Sequence, residues 1–384
     1  FGLVAQTQFG VEKVIPLFSP DRQSFIEYDI SYLIDTAITR QKTKLGILSP
    51  LSVMGSDISG YMAQMMRMQG QRPRPAWTVV EQLRRQYDVE GVPADVEEIK
   101  DIDILLVIHP KDLSEKTLFA IDQFVLKGGR TVVCVDPHCI VDQPDQSAIQ
   151  RGVLPSQGSD LNTLLRNWGV EMPTRTFAGD RSLALKVSLS ENQRPQNIIG
   201  FLGLTPRCFN PDTVITADLN QVRVLFPGVL NVLNNSDENE KNLNITKRPL
   251  LLTTDKGNSW TVSSPYELIM PNPSQLMGKF VDGTEPVVIG YLLSGRFKSS
   301  FPEGIEVEVE VNEDDVSGES EKDDKEKKTV KKRLTGITEA REDSNVAVFA
   351  DVDFISDMVA YQRTIIGSIP VGDNATLMFN TIDE

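Results

Sequence analysis

Apolar and polar positions alternate between two periods over residues 44–135. "KLGIL" (44–48), "DILLVI" (103–108) and "TVVCV" (131–135) are short apolar runs, each followed within two residues by a proline, at Ser49-Pro50, His109-Pro110 and Asp136-Pro137. Between them, "WTVVEQLRRQY" (77–87) and "SEKTLFAIDQFVLKGG" (114–129) place apolar residues at helical spacing, and "DVEGV" (88–92) is a further short strand. Unbroken apolar strands separated by amphipathic helices predict right-handed βαβ units and a parallel sheet covered on both faces. The expected fold is α/β, with a doubly wound parallel-sheet N-terminal domain of flavodoxin- or amidotransferase-like layout over 44–150.

The flanking segments read differently. Residues 1–43 hold a strand, "VEKVIPLF", and "FIEYDISYLIDTAIT", where Phe25, Tyr28, Tyr32, Leu33 and Ile38 fall at roughly helical spacing, so a lead-in strand and helix are expected. Beyond 150, "LNTLLRNWGVEM" is a helix with a glycine stop, and the clearest strands are "PLLLTT" (249–254), "PVVIGYLLSG" (286–295) and "NVAVFADVDF" (345–354). The last is expected to lead into a helical "ISDMVAYQR". A second α/β or α+β domain over 151–384 fits this pattern. Within it, 311–333 ("VNEDDVSGESEKDDKEKKTVKKR") is dense in both charge signs and nearly free of apolar residues, the composition of a solvated hairpin tip or a disordered insert. Because acids precede bases along that run, docking of a charged partner is the alternative.

Composition narrows the function classes. The 384 residues are 40% hydrophobic and 24% charged, as in a folded globular chain, and the formal net charge of -15 repels phosphate backbones. Nucleic acid is excluded as a partner. The three cysteines, Cys134, Cys139 and Cys208, form no CxxC pair, and they read as small buried hydrophobes. No run reaches the ~20 apolar residues of a membrane span. The chain opens at "FGLVAQTQFG" without Met, so a soluble piece of a longer, membrane-anchored parent is expected.

Candidate chemistry gathers at the strand ends. There is no GxxxxGK[ST], since "LMGKF" (276–280) lacks both the hydroxyl residue and the upstream glycine; neither GxGxxG nor GxSxG occurs where either is needed. No cofactor is expected. In a doubly wound sheet ligands collect beyond the carboxyl ends of the strands, which makes Ser49, His109, Asp136 and His138 candidates for a ligand crevice. A hydrolase using His109, His138 and Cys139 is a further alternative, against the plainer reading that the two imidazoles cap loop backbone. Asp351, Asp353 and Asp357 are candidate cation ligands, since two acids two apart on a strand share a face; the competing reading makes Asp353 or Ser356 a helix N-cap. Met54, Tyr61, Met65, Met66 and Met68, in the loop "VMGSDISGYMAQMMRMQGQRPRP" (53–75), are candidates for partner binding through adaptable thioethers, or else pack inward from a short helix.

Several of these segments recur together in a known family. "EYDISYLI", "KLGILSP", "WTVVEQLRRQYDVEGV", the block from "DIDILLVIHP" through "AIDQFVLKGGRTVVCVDP", then "PLLLTT", "LLSGRFKSSFP", "VAVFADVDFISD" and "GDNATLMFNTIDE" resemble, in order and over nearly the whole chain, the ABC-transporter auxiliary family of bacteria, which includes the gliding-motility GldG-type proteins. The resemblance implies an extracytoplasmic region facing the periplasm, part of an inner-membrane protein whose spans this chain lacks. It also implies ABC permease and ATPase subunits as partners. No enzymatic activity comes with the family, and the missing P-loop accords with ATP hydrolysis on another subunit. A ligand-sensing or carbohydrate-binding module using the strand-end crevice stays as the alternative.

Overall fold

The computed structural model describes residues 2–6, 12–15, 26–38, 42–56, 65, 68, 74–143, 151, 156–188, 194–233, 245–269, 271–310, 329–364 and 367–384. Seven strands form one sheet: β1 (Lys44–Leu48), β2 (Asp88–Val92), β3 (Ile104–Ile108), β4 (Arg130–Cys134), β5 (Thr246–Leu252), β6 (Val288–Gly295) and β7 (Ser344–Phe349). Their order is β5-β6-β7-β4-β3-β1-β2. The five strands from β7 to β2 run parallel, and β5 and β6 add an antiparallel edge. The fold is mixed α/β with a mostly parallel central sheet. The stretch beyond 151 supplies three of the seven strands, and β7 lies directly beside β4, in register from Val346↔Thr131 to Phe349↔Cys134.

Four helices cover the sheet: α1 (Thr78–Gln86), α2 (Glu115–Leu126), α3 (Asn162–Asn167) and α4 (Asn374–Asp383). Because side chains alternate across a strand, each apolar run serves two cores. Ile104, Leu106, Ile108, Val132 and Cys134 join Val79, Val80 and Leu83 of α1 and Leu377, Met378 and Ile382 of α4. Leu105, Val107, Val133 and Val135 join Ala120, Ile121, Phe124 and Val125 of α2 and Leu164 and Leu165 of α3. The doubly wound arrangement follows from that alternation. At Gly46 a Cβ would lie 2.9 Å from Val92 and 3.0 Å from Ile102, so β1 has room there for glycine alone.

The helix ends obey local chemistry. Ser114 caps α2 by accepting from the Thr117 amide, and Gly128, at φ 89°, stops the helix in the left-handed region. The α1 helix has no side-chain cap from Trp77; the amide of Thr78 instead donates to Asp357 Oδ1 at 2.8 Å, from a loop 279 residues further on.

Two polar residues of α2 face inward. Asp122 accepts from Ser299 Oγ (2.7 Å), the Ser300 amide (2.9 Å) and Gln123 Nε2 (3.2 Å). Gln123 accepts from the Ile337 amide and donates to the Ile337 carbonyl. The pair "DQ" therefore pins the segments following β6 and preceding β7 against α2.

Other elements surround this frame. Residues 2–38 contribute a hairpin, Leu3–Gln6 with Glu12–Ile15, and a helix, Ile26–Ile38. A three-stranded antiparallel sheet joins Ala184–Val187, Gln196–Leu204 and Val222–Leu225. The charged run is flanked by a hairpin, Ile305–Glu310 with Thr329–Leu334, and 311–328 lie outside the described residues. One sequence expectation is corrected. The segment 355–363 is not helical: a 3₁₀ turn covers Asp353–Ile355 and a strand begins at Tyr361. Strand β7 ends at Phe349, so Asp351 and Asp353 lie past it, where their carboxylates take backbone amides in place of a continued helix.

Every contact to Asp122 is a donor, so neither loss of the carboxylate nor its exchange for an amide can be neutral. Asp122→Ala and Asp122→Asn are each expected to lower unfolding free energy by about 1–3 kcal/mol, measured by urea denaturation, with a small-to-small change at exposed Thr335 as the unaffected control.

Candidate functional site

The exits of β3, β4 and β7 are adjacent at the carboxyl end of the sheet, and their polar side chains are buried. His109, Asp136 and Asp353 are fully excluded from solvent, Asp351 is 1% exposed and His138 5%. Each carboxylate is held by backbone. Asp136 accepts from the His138 amide (2.7 Å) and the Val352 amide (2.8 Å), tying the β4 exit to the β7 exit. Asp353 accepts from the amides of Ile140 (2.7 Å) and Val141 (3.0 Å), tying them in the opposite sense. Asp351 accepts from the amide of Leu225 (2.6 Å), reaching the three-stranded sheet, and from that of Phe354 (3.1 Å), which closes its own turn. That last bond gives Asp351 the capping role expected of Asp353 or Ser356.

The three carboxyls share a dry space with no ion pair to Lys or Arg among the described residues. Burial first, then the neighbouring carboxylates, push Asp136 well above the ordinary carboxylate range; burial and then Asp353 do the same to Asp351. Burial raises Asp353 to about 6, against the pull of the Ile140 and Val141 amides. Cys139 lies 3.8 Å from Asp353 Oδ1, and burial together with Asp136 and Asp353 raises its thiol. Cys134 is raised by burial too. These are protonated, inert thiols.

Asp136, Cys139 and Asp353 nonetheless offer ligand atoms within 4.8 Å of one another. Each oxygen of Asp136 and Asp353 accepts one backbone N–H, and cation binding there would need the raised Cys139 thiol as a thiolate. The group is built as a brace. Asp357 stands apart, on the α1 amide and 3.9 Å from Arg363.

The histidines play two roles. His138 sits edge-on to Phe226, with ring centroids 6.0 Å apart, in a cluster that includes Phe177, Phe201 and Trp260. Burial lowers its pKa to about 4, so the ring is neutral at pH 7. His109 adopts φ 54°, and its Nε2 lies 3.2 Å from Asp142 Oδ2, which also accepts from Lys111 Nζ at 2.6 Å. Burial lowers the His109 pKa and Asp142 partly restores it. Its Nδ1 is buried without a hydrogen-bond partner among the described residues. Cys139 and the two imidazoles thus belong to different contacts, and no nucleophile–base hydrogen bond links them.

The remaining predicted residues lie nearer the surface. Ser49, half-buried at the tip of β1, accepts from the Leu51 amide. Met54 packs against the first core, while Met65 and Met68 are 41% and 82% exposed. Tyr61 and Met66 lie outside the described residues. Sequence reading passed over Asp142, Lys111 and Asn374. Asn374, fully buried, donates to the carbonyls of Arg223 and Phe354 and accepts from the Arg223 amide; with Asp373, which accepts from the Asn220 and Gln221 amides, it docks the start of α4. The "GDN" triplet was the available signal, since Asp and Asn beside a glycine commonly bond backbone.

A family model described as "ABC-type uncharacterized transport system" matches residues 42–381. No curated protein matches the chain. Among solved structures, a protein described as thua-like, from Bacteroides uniformis, is similar with 9% identity, covering 66% of this chain and 78% of that one at a TM-score of 0.30, a level at which likeness carries no functional information. Among the described residues, no helix is long and apolar enough to cross a membrane.

Opposed titrations set the pH response: the buried imidazoles act one way, and the buried carboxyls Asp136, Asp351 and Asp353 the other. The unfolded chain protonates His138 at about 6.5 and the folded one at about 4, so stability is lost as pH falls through that window, by about 3 kcal/mol. Asp353, raised from 3.8 to about 6, loses stability as pH rises over nearly the same window. Because buried Asp136 and Asp351 act in the same sense as Asp353, stability is expected to fall less steeply with rising pH in the wild type than in His138→Phe, the two profiles separating by about 3 kcal/mol between pH 4 and 6.5. Urea unfolding at half-unit pH steps checks this, and identical profiles for the two proteins would disprove it.

Proposed function

We infer the role of this chain from its family together with the state of its polar residues: it belongs to the ABC-type uncharacterized transport system family, whose model covers 340 of its 384 residues. It is an auxiliary component of an ABC-type transport system. Within that frame we propose a non-enzymatic subunit, facing the periplasm from an inner-membrane parent, that works by binding the permease and is joined through it to the ATPase. The gliding-motility branch is the subtype its motifs most resemble. One observation carries the non-enzymatic reading: His109, Asp136, His138, Asp351 and Asp353 are at most 5% exposed, and the carboxylates are occupied by backbone amides, so the side chains able to do chemistry are committed to holding strand exits together. Catalysis needs such groups in reach of a substrate. Binding needs only surface, and Met65 and Met68 supply exposed thioethers.

Affinity purification of the full-length parent from its native membrane, with mass spectrometry of what accompanies it, tests the proposal. An ABC ATPase and permease in constant stoichiometric proportion are the expected result, and recovery of the parent alone would overturn it. In the same strain, Met65→Ser/Met68→Ser is expected to lower the recovered ATPase and permease several-fold without changing the amount of parent.

A further inference from the structure

A groove of about 850 Å³ lies away from the strand ends, between α2, residues 97–100 and residues 332–337. Its floor is Phe119, Phe124 and Ile337, closed at the base where the Gln123 amide grips the Ile337 backbone. Gly336 belongs to that closure, since a Cβ there would fall 2.1 Å from Gln123.

The overhanging wall is the hairpin Ile305–Glu310 with Thr329–Leu334. Its register sets Ile305 opposite Leu334, Glu306 opposite Arg333 and Val307 opposite Lys332. One face thus carries Glu306, Lys331 and Arg333, which satisfy each other and Glu303. The other face carries Ile305, Val307, Leu334 and Lys332. A two-stranded hairpin is marginal in water unless its apolar face is covered. Among the described side chains of this face only Ile305, at 4% exposed, is fully covered; Val307 and Leu334 are half-buried, and Leu334 with Lys332 lines the groove.

Charge at the mouth selects what would complete that cover. Lys100 and Lys127 share one carboxylate, Glu98, at 3.0 and 2.9 Å, which leaves that trio positive. Lys332 is exposed and has no ion-pair partner among the described residues. Glu97, on the same rim, faces Lys116 at 3.9 Å. On a chain of net charge -15, the mouth is locally cationic over an aromatic floor.

We propose that this groove docks a short acidic segment of a partner transport subunit, which sets an apolar side chain over Phe119, Phe124 and Ile337 and carboxylates against Lys332, Lys127 and Lys100. The proposal rests on the auxiliary-subunit reading above. The groove supplies an anchor within a larger interface, since a stable complex needs about 800 Å² from each partner. Apolar anchoring holds the segment, and the lysines select for acid and against base.

A photo-crosslinking residue placed at exposed Thr335 of the full-length parent, in its native membrane, tests the site. The expected product joins Thr335 to an Asp- or Glu-rich periplasmic segment of the co-purifying permease. Lys332→Glu should cut its yield at least about tenfold through like-charge repulsion, and Lys332→Arg should restore it. Because Lys332 is exposed, an unchanged melting temperature will separate lost docking from lost folding. Transport subunits that co-purify without a Thr335 crosslink, or with one indifferent to charge reversal, overturn the docking site and leave the auxiliary role standing. A crosslink to a second copy of this chain overturns it equally. Recovery of no transport subunit removes both proposals together.

Discussion

The carboxyl end of a parallel sheet poses a problem that the rest of this structure depends on solving. Five parallel strands stop together, and the loops that leave them carry amides that lose water when the neighbouring lobe closes over them. Here Asp136, Asp351 and Asp353 accept those amides, each oxygen taking one. The exchange is reciprocal. Asp136 reaches from the β4 exit to the β7 exit, Asp353 reaches back, and Asp351 extends the brace to Leu225. This is why strands more than 200 residues apart in sequence sit side by side with little freedom to slide. The cost is three uncompensated buried carboxyls, which raise one another's proton affinity; like charges at this spacing do not all ionise. Clustered acids with shifted titration are often taken as a catalytic signature. In this chain the same shifts arise from a structural joint, and what separates the two cases is where the oxygens point.

The same device recurs at lower stakes. Asp122 and Gln123 hold two loops against α2, Asp180 accepts from Ser182 and Thr254 across the smaller sheets, and Asp373 with Asn374 fixes the start of α4. Asp357 caps α1 from the far end of the chain. The segments "AIDQF", "DVD" and "GDN", on which the resemblance to the family was read, are therefore joints of the fold.

How far the sequence was legible follows from which forces are local. The apolar runs at 44–48, 104–108 and 131–135 and the helix patterns between them specify β1, β3, β4, α1 and α2, because burial on both faces leaves a continuous apolar signature. Ser114 and Gly128 mark the ends of α2 by chemistry contained within a few residues. Strand β7 was legible as a strand, but its place beside β4 was not, since the partner that fixes it is a set of amides at 138–141 with no distinctive side chains. The misread helix at 355–363 has the same origin: its apolar spacing was real, and tertiary hydrogen bonds to Asp351 and Asp353 overrode it. Asp136 and His138 were read as crevice candidates and Asp351 and Asp353 as cation candidates, and all four are buried; whether an aspartate accepts from a ligand or from backbone depends on contacts that residue type and spacing do not encode.

These facts bear on where function can reside. A carboxyl-end crevice works in doubly wound proteins because loops leave it open; here buried His109, Asp136 and His138 fill it, and the hydrogen bonds that fill it are the ones that join the two halves of the sheet. Opening it for a ligand would break the joint. The groove proposed above as a docking site lies away from that joint, with its base locked by Gln123. A rigid base matters there, because an anchor site that is already ordered loses little entropy when a partner arrives. The brace and the groove are thus two ends of one arrangement, in which inward-facing acids give the frame its rigidity and leave exposed lysines and thioethers to make the contacts.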